Sequence, residues 1–384
     1  MKTPHLIFAL LFILCSFPTC SVNLTTDEGG DLATVSAYVG SYTRDEGWVN
    51  GKGSGVTEID VRVKTGRILQ QRAIADITNA SFLVESADER YLYVVSELAR
   101  EDEPTGFIHV LDIANEYKEI SKIPTDGKAP CHIEVDNTGN YIITTNYVGG
   151  VAKMYRRQVD GTLLPTDKKT VTNTMMPGKS SHLHSAQFSP DNNLVAIADL
   201  GLDRIMFFRL DAANGKLVAH QQGFAKLVEK AGPRHMTWSA NGEFLYVINE
   251  LNSTINVLGY DKKSDRFTNL QTITTLPTGW TGNNSTADLH LHPNGKFLYG
   301  SNRGHNSIAG FLVDQNTGLL TVNGHESTRG DAPRNFSLSP NGRFLYAANQ
   351  NTSTITVFSL NEKSGQLTYT DQEFVTGTPV CIEF

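Results

Sequence analysis

Residues 231–250 read AGPRHMTWSANGEFLYVINE. Two apolar runs, MTW and FLYVI, flank an Asn-Gly pair, and each alternates or continues as a strand would. Asn-Gly is the dipeptide that best supplies the left-handed backbone of a tight hairpin, so the stretch predicts strand, turn, strand. Polar residues stand at its two outer ends: Arg234 and His235 before the first run, Asn249 and Glu250 after the second. A hairpin brings those ends together.

The stretch recurs. ADLHLHPNGKFLYGSNR at 287–303 and APRNFSLSPNGRFLYAANQ at 332–350 repeat it closely, and APCHIEVDNTGNYIITTNY at 129–147 and SHLHSAQFSPDNNLVAIADL at 181–200 repeat it with altered turns. ASFLVESADERYLYVVSE at 80–97 is a weaker copy, and YVGSY at 38–42 preserves only the second half. The second runs end at Tyr42, Glu97, Tyr147, Leu200, Glu250, Arg303 and Gln350, at intervals of 47 to 55 residues. A third strand follows each copy, as in STINVLGYD, and a fourth comes after a Gly or Asp turn, as in NLQTITTL. Four antiparallel strands repeated at this spacing predict an all-β, seven-bladed β-propeller. The first unit lacks its innermost strand. GTPVCIEF at 377–384 resembles APCHIEVD, so the C-terminal strand is expected to complete blade one and close the ring, making residues 35–384 one domain.

The remaining N-terminal residues read as targeting. Lys2 precedes the apolar LIFALLFILC, and SFPTCS leads into a polar stretch, which predicts a secretory signal over 1–20 and a polar segment over 21–34. The apolar run is too short to favour a membrane span. The expected location is therefore secreted or periplasmic; Cys15 and Cys20 lack a convincing lipidation triplet. Cys131 and Cys381 remain after cleavage, two distant thiols rather than a disulfide framework. The chain has 384 residues, 39% hydrophobic and 19% charged, with formal net charge -7 and no Lys/Arg-rich block. That excludes an extended basic groove for nucleic acid. It leaves room for a few arginines in a pocket.

Such a pocket is expected at one mouth of the central channel, where the starts of first strands and the ends of second strands gather. The candidates are His132, His182, His184, Arg234, His235, Asp288, His290 and Arg334 from the first strands, and Glu97, Tyr147, Glu250, Arg303 and Gln350 from the second. His235 and His292 are read as packing residues. His182-Leu-His184 and His290-Leu-His292 share strand faces on a simple alternation, and Asp199, Glu250 or Asp288 could add oxygen ligands. The spacing follows from the strand period, so a bound cation stays open, its ligands unassigned, and no cofactor is required. Guanidinium groups at Arg234, Arg303 and Arg334 suit a small anionic lactone or carboxylate. A neutral histidine beside them can move a proton near pH 7.

The order of distinct blade motifs goes further than the generic repeat. YVGSYT, PCHIEVD, HSAQFSPD, DLGLDRI, GPRHMTW, YVINE, the SNR of blade six and APRNFSLSPNGRFLYAANQ resemble the seven-bladed lactonase family that contains bacterial 6-phosphogluconolactonase and fungal 3-carboxy-cis,cis-muconate cyclase. The resemblance implies a catalytic set of His184, Arg234, Glu250 and Arg303, with His182 the rival for the histidine role and His132 and Arg334 as further binding residues. His184 would be general base or proton shuttle, the two arginines would clamp the anion and stabilise oxyanion charge, and Glu250 would orient them. The implied reaction is hydrolysis of 6-phospho-D-glucono-1,5-lactone by a monomer. The secretory leader sits awkwardly with a cytoplasmic substrate, which keeps an unphosphorylated lactone, the cyclase reaction and a non-catalytic propeller for a protein or glycan as alternatives.

Overall fold

The computed structural model describes residues 32–171 and 178–384. The signal segment expected over 1–20, and most of the polar segment after it, lie outside the described residues. The described residues form seven four-stranded antiparallel sheets, and in six of them the strands follow chain order from the innermost outward. Blade five is Pro233–Trp238, Phe244–Asn249, Thr254–Asp261 and Arg266–Thr274. Blade one is the exception in chain order: Pro379–Glu383 lies innermost and pairs with Thr34–Ser41, so the C-terminus closes the ring against the N-terminal strand. Among the described residues no helix is long and apolar enough to cross a membrane.

Local chemistry sets the hairpin between first and second strands. Ser239 Oγ accepts the Phe244 N–H at 2.9 Å while Gly242 takes a φ of 69°, a left-handed turn residue that glycine fills without strain. Ser339 and Gly342 do the same in blade seven. In blade six the serine is replaced by His292, whose Nδ1 accepts the Asn294 N–H and whose Nε2 donates to the Gly342 carbonyl of the next blade. His292 is thus a turn and blade-packing residue, as expected, while His290 points elsewhere; the two do not form a paired ligand face.

Second strands are largely buried, and Phe244–Asn249 is buried along its whole length, because each blade is covered on both faces by its neighbours. Outer strands such as Leu367–Val375 alternate between exposed and partly buried positions. Apolar clusters fill the space between successive blades: Ile248 and Val257 of blade five pack with Leu289, Leu298 and Phe311 of blade six. The closing contact is of the same kind, with Val39 and Ile382 of blade one against Tyr346 and Val357 of blade seven. Each fully buried apolar side chain of this size is worth roughly 1.5–3 kcal/mol, so the last strand is a structural latch.

Candidate active site

The first strand of every blade carries a β-bulge near its start. In blade five Pro233 faces Asn249 and Met236 faces Val247, which leaves Arg234 and His235 together opposite Ile248. A bulge suspends the strict in-and-out alternation of a strand. Adjacent residues can then both reach the channel, and Arg234 and His235 are 2% and 6% exposed. The same irregularity falls at His184 in blade four, between Pro130 and His132 in blade three, across Ala287 and Asp288 in blade six, and at Arg334 in blade seven.

Two layers result. The outer layer, at the mouth, is built on one carboxylate. Glu250 Oε2 lies 3.0 Å from Arg234 Nε, and its Oε1 lies 3.0 Å from an Arg303 terminal nitrogen. Arg234 also donates to the Ala287 carbonyl at 2.7 Å, and Arg303 to the Thr286 carbonyl at 2.8 Å. Arg334 completes the group from blade seven, its guanidinium 5.4 Å from the Tyr42 ring centre and 5.8 Å from that of Trp48. Tyr42 in turn donates to Glu97 Oε2 at 2.9 Å. The Glu250 contacts to Arg234 Nε and Arg303 are close ion pairs in which the N–H of Nε is not directed at the carboxylate, and both Nε donors are buried without a hydrogen-bond partner. Burial works to raise the Glu250 carboxyl, yet the guanidiniums of Arg303, Arg234 and Arg334 outweigh it and hold the group below its ordinary value. Arg234 is drawn down to about 10 by burial and by the other two arginines, and it stays charged at neutral pH.

The inner layer is a set of imidazoles. His235 lies 5.3 Å from His184 and 5.6 Å from His132, ring centre to ring centre, and Phe82 covers His132 at 4.5 Å. His235 Nε2 accepts from Arg234 at 3.1 Å, so its Nδ1 carries the proton and donates to Asp288 Oδ1 at 2.6 Å. Burial, reinforced by the Arg234 charge, lowers His235 to about 4. Burial and Arg234 likewise push His184 well below its ordinary value. The pair is therefore neutral at pH 7. Asp288 is the buried anchor beneath, accepting further from His290 Nε2 at 2.9 Å, Asn335 Nδ2 at 2.6 Å and the Phe336 N–H. Those partners overcome the burial penalty and keep it ionised.

The sequence-derived set is thus only partly assembled in one place. Arg234, Glu250 and Arg303 form the ion-paired group, His184 and His132 sit against it through His235, and Arg334 stands at the blade-seven side. His182 is outside. Its ring stacks on Tyr147 at 4.5 Å, its Nδ1 bonds to the Tyr147 carbonyl, and Tyr147 presents an edge to His184. Asp199, considered as an oxygen ligand, instead accepts from Ser181 Oγ and the His182 N–H. Among the described residues no three His, Cys, Asp or Glu groups are placed to hold a metal ion. His235 links Arg234 to Asp288, and Asp288 anchors the layer through His235, His290, Asn335 and the Phe336 N–H. The signal for Asp288 is present in the ADLHLH stretch, but alternation hides it because the bulge is not legible there.

Similarity to known proteins agrees with this architecture. The family profile described as "Lactonase, 7-bladed beta-propeller" matches residues 36–384. The 6-phosphogluconolactonase of Bacillus subtilis is 28% identical over 309 residues, covering 78% of this chain and 83% of that protein. The 6-phosphogluconolactonase of Formosa agariphila is 31% identical over 323 residues, covering 78% and 85%. Among solved structures, the periplasmic gluconolactonase PpgL of Pseudomonas aeruginosa superposes with a TM-score of 0.83 at 29% identity, covering 91% of this chain and 99% of that one. The chain belongs to the seven-bladed β-propeller lactonase family, related to the bacterial 6-phosphogluconolactonases.

Proposed function

We propose that the chain hydrolyses a gluconate-type 1,5-lactone at the arginine-lined mouth, with 6-phospho-D-glucono-1,5-lactone as the leading substrate. The observation that carries this reading is the grouping of three largely buried guanidiniums, Arg234, Arg303 and Arg334, around the single carboxylate of Glu250 beside neutral histidines. Buried like charges are costly, and a bound oxyanion offsets them.

In this reading water attacks the lactone carbonyl carbon while neutral His184 takes its proton, a role that in other hydrolases contributes about 100- to 10,000-fold. The negative charge that develops on the carbonyl oxygen is met by the Arg234 and Arg303 guanidiniums. The bond from the carbonyl carbon to the ring oxygen then breaks, and His184 returns the proton to the departing hydroxyl. Glu250 fixes the two arginines relative to one another, His235, His132 and Asp288 hold the inner wall, and Arg334 supplies a further binding contact. The substrate's own phosphate, where present, pairs with Arg334.

An unphosphorylated lactone is the second reading. It is favoured by the leader-like residues 1–20 and by the similarity to a protein named as a periplasmic gluconolactonase. In either case we take 1–20 as a cleaved leader, 21–34 as a spacer and 35–384 as the catalytic domain working outside the cytoplasm. The deciding experiment compares the two lactones as substrates for the leader-free protein and for Arg334→Ala. Preference for the phosphorylated lactone that Arg334→Ala abolishes supports the first reading. Equal turnover of both, unaffected by Arg334→Ala, replaces it with the second.

A further inference from the structure

Each first strand continues past the bulge to the other end of the channel. Two residues beyond His132, Ser185, His235, Asp288 and Cys381 stand Glu134, Gln187, Thr237, His290 and Glu383, which with the underside of the inner layer line a cavity of about 220 Å³. This cavity is separate from the arginine-lined mouth, and among the described residues no Lys or Arg lines it. The imidazole layer stands between the two.

The titratable groups facing this cavity are carboxyls and imidazoles. Asp288 and His290 neutralise one another across 2.9 Å. Glu134 and Glu383 come from blades three and one, and Glu85 of blade two adds a third carboxyl beside Glu383. Burial and the neighbouring Glu383 push Glu134 up to about 8. Burial and Glu85 push Glu383 up to about 7, with His290 opposing, and burial does the same for Glu85. His235 is already committed to Arg234 and Asp288. His132, in contrast, is 4% exposed, forms part of the cavity wall, and has an Nδ1 with no hydrogen-bond partner. Burial keeps its ring neutral, so it retains a nitrogen lone pair.

We propose that this second cavity is a binding site for a small organic ammonium ion, held by Glu134 and Glu383, with His132 and Gln187 as hydrogen-bonding walls. The carboxyls are too dispersed to enclose a bare metal ion among the described residues, whereas an amine with a short carbon chain spans such a space and its N–H donors satisfy several oxygens. The Phe82 ring stacked on His132 offers an apolar face to the chain. Binding would discharge a proton from each carboxyl that enters an ion pair, so affinity would rise with pH.

Calorimetric titration of the leader-free protein tests this with putrescine as ligand and 1,4-butanediol as its uncharged isostere. Expected are saturable putrescine binding, about tenfold or more tighter at about pH 8.5 than at about pH 6, and proton release seen as a dependence of the heat on buffer ionisation enthalpy. Glu134→Gln and Glu383→Gln should abolish it. These replacements keep the shape and remove like-charge repulsion, so thermal unfolding should show both variants at least as stable as the parent. Arg303→Ala, at the opposite mouth, should bind putrescine as the parent does. Binding of butanediol to the same extent, putrescine binding that survives Glu134→Gln with Glu383→Gln, or no saturable binding at either pH would each overturn the proposal. Lactone turnover is measured separately and stands or falls on its own.

Discussion

Glu250→Gln is the substitution whose consequences follow most directly from the geometry. The carboxylate holds Arg234 and Arg303 at 3.0 Å each, with Arg234 3% exposed, Arg303 16% and Glu250 itself 22%. Removing one partner of a buried ion pair costs about 3–5 kcal/mol, because the surviving charge stays buried. Partial access of water to Glu250 argues for the lower end, about 3 kcal/mol. A propeller of this length unfolds with an entropy near 0.7 kcal/mol/K on the common per-residue scale, so the melting temperature should fall by about 4 °C. The arginines, freed to separate, should lower kcat/KM for the lactone by about 100-fold. Inorganic phosphate can take the place of the missing carboxylate. At about 100 times its Kd it should return about 2.7 kcal/mol, most of the loss, and should stabilise the variant more than the parent. Differential scanning fluorimetry with and without phosphate, alongside initial rates, reads all three effects. A variant with unchanged melting temperature and full turnover would refute the idea that Glu250 organises the mouth.

Three further outcomes are expected. His184→Ala should reduce turnover by about 100-fold or more while His182→Ala, stacked outside on Tyr147, should cost less than about tenfold; steady-state kinetics on both variants checks the assignment. Stability should fall on both sides of a plateau between pH 4.5 and 6.5. His235 is lowered from 6.5 to about 4 in the fold, so its contribution of about 3 kcal/mol is complete above pH 6.5 and lost as the pH drops toward 4. Glu134 is raised from 4.5 to about 8, so its contribution is complete below 4.5 and lost as the pH rises through 8. Across pH 4.5–6.5 the two contributions change in opposite directions and offset one another, so urea unfolding should give a plateau there, a fall toward pH 4 and a fall from pH 6.5 to 8; Glu134→Gln should remove the alkaline fall and leave a rise between pH 4 and 6.5. Deleting residues 379–384 removes Val380, Cys381 and Ile382, all under 3% exposed, and should lower stability by at least about 5 kcal/mol; the thermal transition of the truncated chain reports it.

The repeat was legible because hairpin chemistry is local. Asn-Gly or its relatives, flanked by apolar runs, mark the first two strands of most blades, and the C-terminal GTPVCIEF declares itself as a first strand by its likeness to APCHIEVD. That the starts of first strands and the ends of second strands share one mouth follows from hairpin direction, while the choice of His184, Arg234, Glu250 and Arg303 among those positions rests on the family resemblance. Which side chains face the channel does not follow from direction, because a bulge is set by the pairing register of two strands. Simple alternation therefore puts His182 with His184 and His290 with His292, whereas in the fold the members of each pair take different partners. The far cavity was equally hidden. Glu134 and Glu383 are 249 residues apart in the chain and meet only because the ring closes with the last strand.

The central claim is that the arginine and histidine groups of this mouth open a lactone ring. It is tested most directly by following acid release from 6-phosphogluconolactone and glucono-1,5-lactone, with the spontaneous rate subtracted, for the leader-free protein, His184→Ala and Arg303→Ala. Turnover of at least one lactone, lost in both variants, is the predicted result. No turnover of either above the spontaneous rate, or equal turnover by parent and variants, would contradict it.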